Sequence, residues 1–124
     1  MIEAMTNGNR DASDLARKLV DVLSDRQAED VVLFDIRQVA DFTDYFVIAT
    51  ALNARHMRAL IAAFETDLAR EGVRPLRREG EDDSGWVLVD YGDVIVQLFA
   101  PEERSFYNLE GLWRRAGVPA VRFQ

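Results

Sequence analysis

WVLVDYGDVIVQLFAPEERSFYNLEGLW, residues 86–113, decides the fold. Two β-rich runs, Trp86–Tyr91 and Val94–Phe99, flank the pair Gly92-Asp93. In the first run Trp86, Leu88 and Asp90 point one way and Val87, Val89 and Tyr91 the other, the two-residue period of a half-buried strand. Gly92 can adopt the positive φ that a tight hairpin requires. Pro101 sits where a helix can begin, with Glu102 and Glu103 in its first turn, where carboxylates complement the helix dipole. Phe106, Leu109 and Trp113 share one face of that helix. The unit is therefore a hairpin followed by a helix that packs back on it.

Upstream, the chain supplies the rest of an α/β domain. The spacing of Leu15, Leu19, Val22 and Leu23 predicts a helix over Ser13–Ser24 with one buried stripe, Ser13 being a suitable N-cap. VVLFDI, Val31–Ile36, and Tyr45–Ala51 are continuous apolar runs of strand length, as expected of strands covered on both faces. Asp41, Phe42, Thr43 and Asp44 make a turn-rich link between them. Asn53 caps a helix from Ala54 to Glu71 whose stripe is Met57, Leu60, Ile61, Phe64 and Leu68, with Gly72 at its C-terminal stop. Arg74–Arg78 reads as a short strand that Pro75 restricts to a sheet edge, and Glu79–Gly85 as an acidic loop leading into Trp86. Arg114 and Arg115 suit the end of the last helix, which Gly117-Val118-Pro119 terminates. The order α-β-β-α-β-β-β-α predicts a single-domain α/β sandwich with a mixed sheet of about five strands and flanking helices. Residues 1–12 are expected to be a flexible tail, 13–116 the domain, and 117–124 a C-terminal tail. There is no internal repeat or low-complexity segment.

Composition bounds the function. With 124 residues, 48% of them hydrophobic, the chain can fill one core. No apolar run approaches the ~20 residues of a membrane span, and the polar start MIEAMTNGNR is no signal peptide, so a cytoplasmic address and no membrane association are expected. There is no cysteine, hence no disulfide and no thiolate chemistry. The formal net charge of −7 is repelled by a phosphate backbone and matches a basic protein instead; no direct sequence-specific nucleic-acid binding is expected. Catalysis lacks its parts. The carboxylate pairs Asp41/Asp44 and Asp90/Asp93 lie across turns, where carboxylates bond locally, and neither adjoins a glycine-rich phosphate loop. The one histidine, His56, lies on an amphipathic helix with no serine partner in sequence. No catalytic residue, metal site or cofactor is expected.

What remains is a binding surface. Around the hairpin, large aromatics interleave with fixed charges, the make-up of an interface patch. Singly, each of these residues has an ordinary alternative as a strand end or solvated helix face. The expected partner-binding face comprises Glu79, Trp86, Leu88, Asp90, Tyr91 and Asp93 from the loop and hairpin. Gln97 and Phe99 of the second strand and Glu102, Arg104 and Tyr107 of the following helix complete it. Trp86 is either a plug at the sheet end or an exposed anchor.

Several pieces together resemble the ribosomal silencing factor family, RsfS, also called Iojap. They are VVLFDIR at 31–37, TDYFVIATA at 43–51, REGE at 78–81, GWVLVDYGDVIVQLF at 85–99 and PEERSFYNLEGLW at 101–113, and they span roughly residues 13–115. Their order and spacing are more specific than any one of them. One departure is visible: Gln97 stands where family members typically carry a histidine. The resemblance implies a nucleotidyltransferase-like topology without that activity, and a partner, the fourteenth protein of the large ribosomal subunit. It also implies a mechanism, steric exclusion of the small subunit, which represses translation when nutrients are scarce. A divergent nucleotide-binding protein of the nucleotidyltransferase fold and a homodimerising scaffold are the alternatives.

Overall fold

The computed structural model describes the backbone of residues 2–123, and side chains from Ala12 onward. Helix α1 (Ile2–Asp25) leads into β1 (Glu29–Asp35) and β2 (Tyr45–Thr50). Helix α2 (Ala54–Ala63) follows, prolonged by a π-helical turn (Phe64–Leu68) and a 3-10 turn (Ala69–Glu71). Then come β3 (Arg77–Glu79), β4 (Trp86–Asp90), β5 (Val94–Phe99), α3 (Pro101–Tyr107), α4 (Leu109–Arg115) and β6 (Ala120–Arg122). The strands form one sheet in the order β3-β4-β5-β2-β1-β6. Only β2 and β5 are parallel, so the sheet is mixed. Every residue of these two central strands is buried; for β2 this is why Tyr45–Ala51 reads as a continuous apolar run, whereas Gln97 interrupts the run of β5.

The hairpin forms as its alternation requires. Trp86 pairs with Phe99 and Leu88 with Gln97. Gly92 takes φ +91°, and its N–H donates to the Asp90 carboxylate at 2.7 Å. Gly72 closes the second helix in the left-handed region, φ +81°.

Three expectations are corrected. The first helix is longer than Ser13–Ser24: its backbone is helical from Ile2, through most of the stretch read as an N-terminal tail, whose first residue, Met1, lies outside the described residues. The stretch read as a C-terminal tail adds a sixth strand, because Val32–Phe34 of β1 would otherwise leave a row of open backbone groups; Ala120–Arg122 pairs with them, and Arg122 bonds Asp30 at 2.7 Å. Gln124, its last residue, lies outside the described residues. Finally, the terminal helix is two helices, broken at Asn108. This residue adopts φ +46°, ψ +48°, ending α3 through its N–H and starting α4 through its side chain, which accepts the Gly111 N–H at 3.2 Å. Phe106 is consequently not on a common buried face with Leu109 and Trp113; it is 80% exposed.

The two faces of the sheet are covered differently. On one, α1 and α2, with Phe64 of the π-helical turn, lay Ala16, Leu19, Leu23, Met57 and Leu60 over Val47, Val87, Val89, Val96 and Leu98. On the other, Leu109 and Trp113 of α4 pack against a smaller cluster, Val32, Phe34, Phe46, Ile48, Ile95 and Phe99, with Trp86 and Leu88 at its margin. No helix among the described residues is long and apolar enough to cross a membrane.

Candidate functional site

The second face carries the candidate site, and Phe99 is its base. Phe99 is 1% exposed; Trp86, opposite it on β4, stacks on it with ring centroids 5.4 Å apart and planes 22° apart. Tyr107, the last residue of α3, meets Trp86 at 4.6 Å and Phe99 at 6.2 Å. Phe106 then stands edge-on to Tyr107 at 5.0 Å. The four rings climb from core to solvent. Trp86 is half-buried and Tyr107 is 49% exposed. Sequence alone left Trp86 between plug and anchor; it is stacked inward and open outward.

The ladder is braced at its foot. The Trp86 indole N–H donates to Gln97 Oε1 at 2.6 Å. Beside it, Glu79, Gly80, Trp86 and Leu88 line a cavity of about 180 Å³. The acidic loop is drawn against the start of β4: Gly80 has φ +96°, and a Cβ there would clash with the Trp86 carbonyl oxygen. Ser84 accepts the Trp86 backbone N–H at 3.3 Å and donates to the Glu81 carbonyl at 2.8 Å. Glu79, exposed on β3, pairs with Arg77, and Arg77 also donates to Asp90 at 3.1 Å.

Of the residues expected on this face, the structure gathers Glu79, Trp86, Leu88, Gln97, Phe99 and Tyr107 around the ladder. Asp90 shares the face but sits at the far end of β4 from Trp86, paired with Arg77 and the hairpin turn. Asp93 is exposed in that turn, and its backbone carbonyl accepts the N–H groups of Asp44 and Tyr45. Glu102 is exposed in the first turn of α3. Two residues are corrected. Tyr91 faces the helix-covered side, 9% exposed against Phe64; burial, with the Glu65 carboxylate nearby, pushes its phenol up to about 12. Arg104 is 8% exposed and turned inward: Nε donates to Glu110 at 2.8 Å and Nη1 to Thr50 Oγ1 at 2.9 Å. The bonded Arg104 guanidinium holds the Glu110 carboxyl below the usual carboxylate range. Arg104 therefore ties α3 to α4 and to β2, and so fixes where Tyr107 stands.

Sequence reasoning also missed His56. Its Nδ1 accepts the Leu52 N–H at 3.0 Å and its Nε2 lies 3.0 Å from the Arg26 carbonyl. A carbonyl only accepts, so the ring is the neutral Nε2–H tautomer, stapling the end of α1 to the β2–α2 turn. The signal available was its place three residues after the Asn53 cap, whose side chain accepts the His56 N–H at 2.8 Å. Among the described residues no group of three or more His, Cys, Asp or Glu side chains is placed to hold a metal ion. The arrangement offers recognition: rigid aromatics, a shallow cavity and a carboxylate rim.

Fold and face together define a single α/β domain with a mixed sheet, one face of which is half-open and aromatic. The family profile described as "Ribosomal silencing factor during starvation" matches residues 9–124. The chain belongs to that family. The ribosomal silencing factor RsfS of Bacillus subtilis is 35% identical over 99 residues, 80% of this chain and 84% of that protein. A crystal structure of a Bacillus halodurans protein superimposes with a TM-score of 0.75 at 31% identity, covering 90% of this chain and 99% of that one. One from Chromobacterium violaceum gives 0.74 at 31% identity, covering 84% of each chain.

Proposed function

We propose that this protein docks on the large ribosomal subunit and represses translation by keeping the small subunit from joining. Its partner in this reading is the fourteenth protein of the large subunit. The action is steric and cytoplasmic, involves no catalysis, and damps translation under nutrient limitation. Family membership supports the ribosomal setting. The observation that carries the docking assignment is the half-exposed ladder Phe99–Trp86–Tyr107–Phe106 beside the Glu79 rim, on the sheet face that α1 and α2 leave open. A basic ribosomal protein complements a chain of net charge −7, and buried aromatics supply the anchors. Because the same rings would serve a second copy of the chain, a homodimer in isolation competes with the ribosome-bound form.

The test is cosedimentation with isolated large and small subunits, followed by the yield of joined ribosomes at increasing protein concentration. Binding to the large subunit alone, with fewer joined ribosomes, is expected. Binding to neither subunit, or to the small one, overturns the reading.

A further inference from the structure

We infer that Gln97 is a positioning residue for docking: it sets the orientation of the Trp86 ring before the partner arrives, an inference that rests on the docking role proposed above. Gln97 is 5% exposed in the middle of β5, paired with Leu88 on one side and Ile48 on the other. An amide in such surroundings is costly unless it is bonded. The register explains the bond. Trp86 pairs with Phe99, so Gln97 is its diagonal neighbour, within reach of two long side chains. The 2.6 Å contact is the one hydrogen bond of the Trp86 indole among the described residues.

A stack alone does not orient an indole. Phe99 beneath and Tyr107 beside tolerate either flip of the ring about its last torsion, which is broad and roughly two-fold. The acceptor on Gln97 selects the flip that turns the N–H edge into the sheet. A partner then meets a ring already in place and loses less side-chain freedom on binding. Trp113, the second tryptophan, is a built-in control: its indole N–H is buried with no hydrogen-bond partner among the described residues, and it packs edge-on against Phe46 at 5.2 Å.

The experiment is a double-mutant cycle. The Kd for large subunits is measured for wild type, Gln97→Leu, Trp86→Phe and the double variant, alongside the two indole N–H signals by NMR. Gln97→Leu is expected to weaken binding about threefold to tenfold, the scale of ordering one side chain. In the Trp86→Phe background the same change should matter less than about twofold, since no indole remains to orient. Gln97→His keeps a ring-nitrogen acceptor and should bind within about twofold of wild type. The Trp86 N–H signal should exchange faster with solvent in Gln97→Leu, and the Trp113 signal should not move. Equal losses in both backgrounds, or no loss, overturn the role of Gln97 while leaving the docking reading intact. A wild type that binds neither subunit overturns the docking reading and the proposal with it. Should Gln97→Leu not fold, the wild-type Trp86 signal decides: slow exchange supports the bond, and free-indole exchange overturns the proposal.

Discussion

The two faces of the sheet are made of different materials. The face under α1 and α2 is mostly aliphatic and closed: alanine, valine and leucine predominate, with Tyr45, Phe64 and Tyr91 buried among them. The opposite face is aromatic and half-open. Leu109 and Trp113 of α4 pack on it, and Gln97, Thr50 and Arg104 are buried along it. The difference teaches a division of labour. Closely packed aliphatic layers stabilise a fold and recognise nothing, because nothing of them is left outside. Large rings with polar braces stay rigid while partly exposed, which suits binding.

The contrast is broken first by cutting into the closed face. Leu60→Ala removes a fully buried side chain and should lower stability by about 2–5 kcal/mol. Thermal or denaturant unfolding reads this, and the fraction still folded should bind large subunits like wild type. Trp86→Ala should do the reverse, reducing large-subunit affinity by tenfold or more, as loss of an aromatic anchor of about 2 kcal/mol does, while unfolding stays cooperative. If both variants lose stability and affinity together, the faces are not separate devices.

Smaller effects sharpen the picture. Glu79→Lys reverses an exposed rim charge and should weaken binding by a few-fold, mainly through association rate and most strongly at low salt. Glu110 gives a pH signature. Its carboxyl is held below the usual value by Arg104, so it stabilises the fold fully above the unfolded-state value of about 4.3 and loses that contribution as pH falls through the lower folded-state value. Glu110→Gln should therefore unfold with a shallower acid dependence below about pH 4.3; an unchanged slope would show that the Arg104 tie is not felt.

Much of this was readable in the residues, for physical reasons that differ by element. The hairpin announced itself because strand alternation and the Gly92 turn are local. The central strand β2 did too, since burial on both faces leaves nothing to alternate; β5 was legible only as the hairpin's second arm, and its burial on both faces was not. The same alternation had already placed Tyr91 with Val87 and Val89 on the opposite side from Trp86, so its inclusion in the docking face ran against the pattern. Arg104 was illegible: a charged residue after Pro101 reads as solvated, and its partner Thr50 is 54 positions away. The strand at the far edge, β6 paired with β1, is too short to show a period. Asn108 hid inside an apparently continuous helix, though an asparagine that tolerates the left-handed region was the available clue. Gln97 was recognisable only as a departure from the family; its bond to Trp86 needed the register.

The central claim is that the aromatic face, and not the helix-covered one, meets the large subunit. Hydrogen exchange of backbone amides, compared between the free protein and its complex with purified large subunits, tests it without altering a residue. Protection is expected in β3, β4 and α3, from Arg77 through Tyr107, with α1 and α2 exchanging as in the free protein. Protection confined to α1 and α2, with β4 and α3 unchanged, would contradict it.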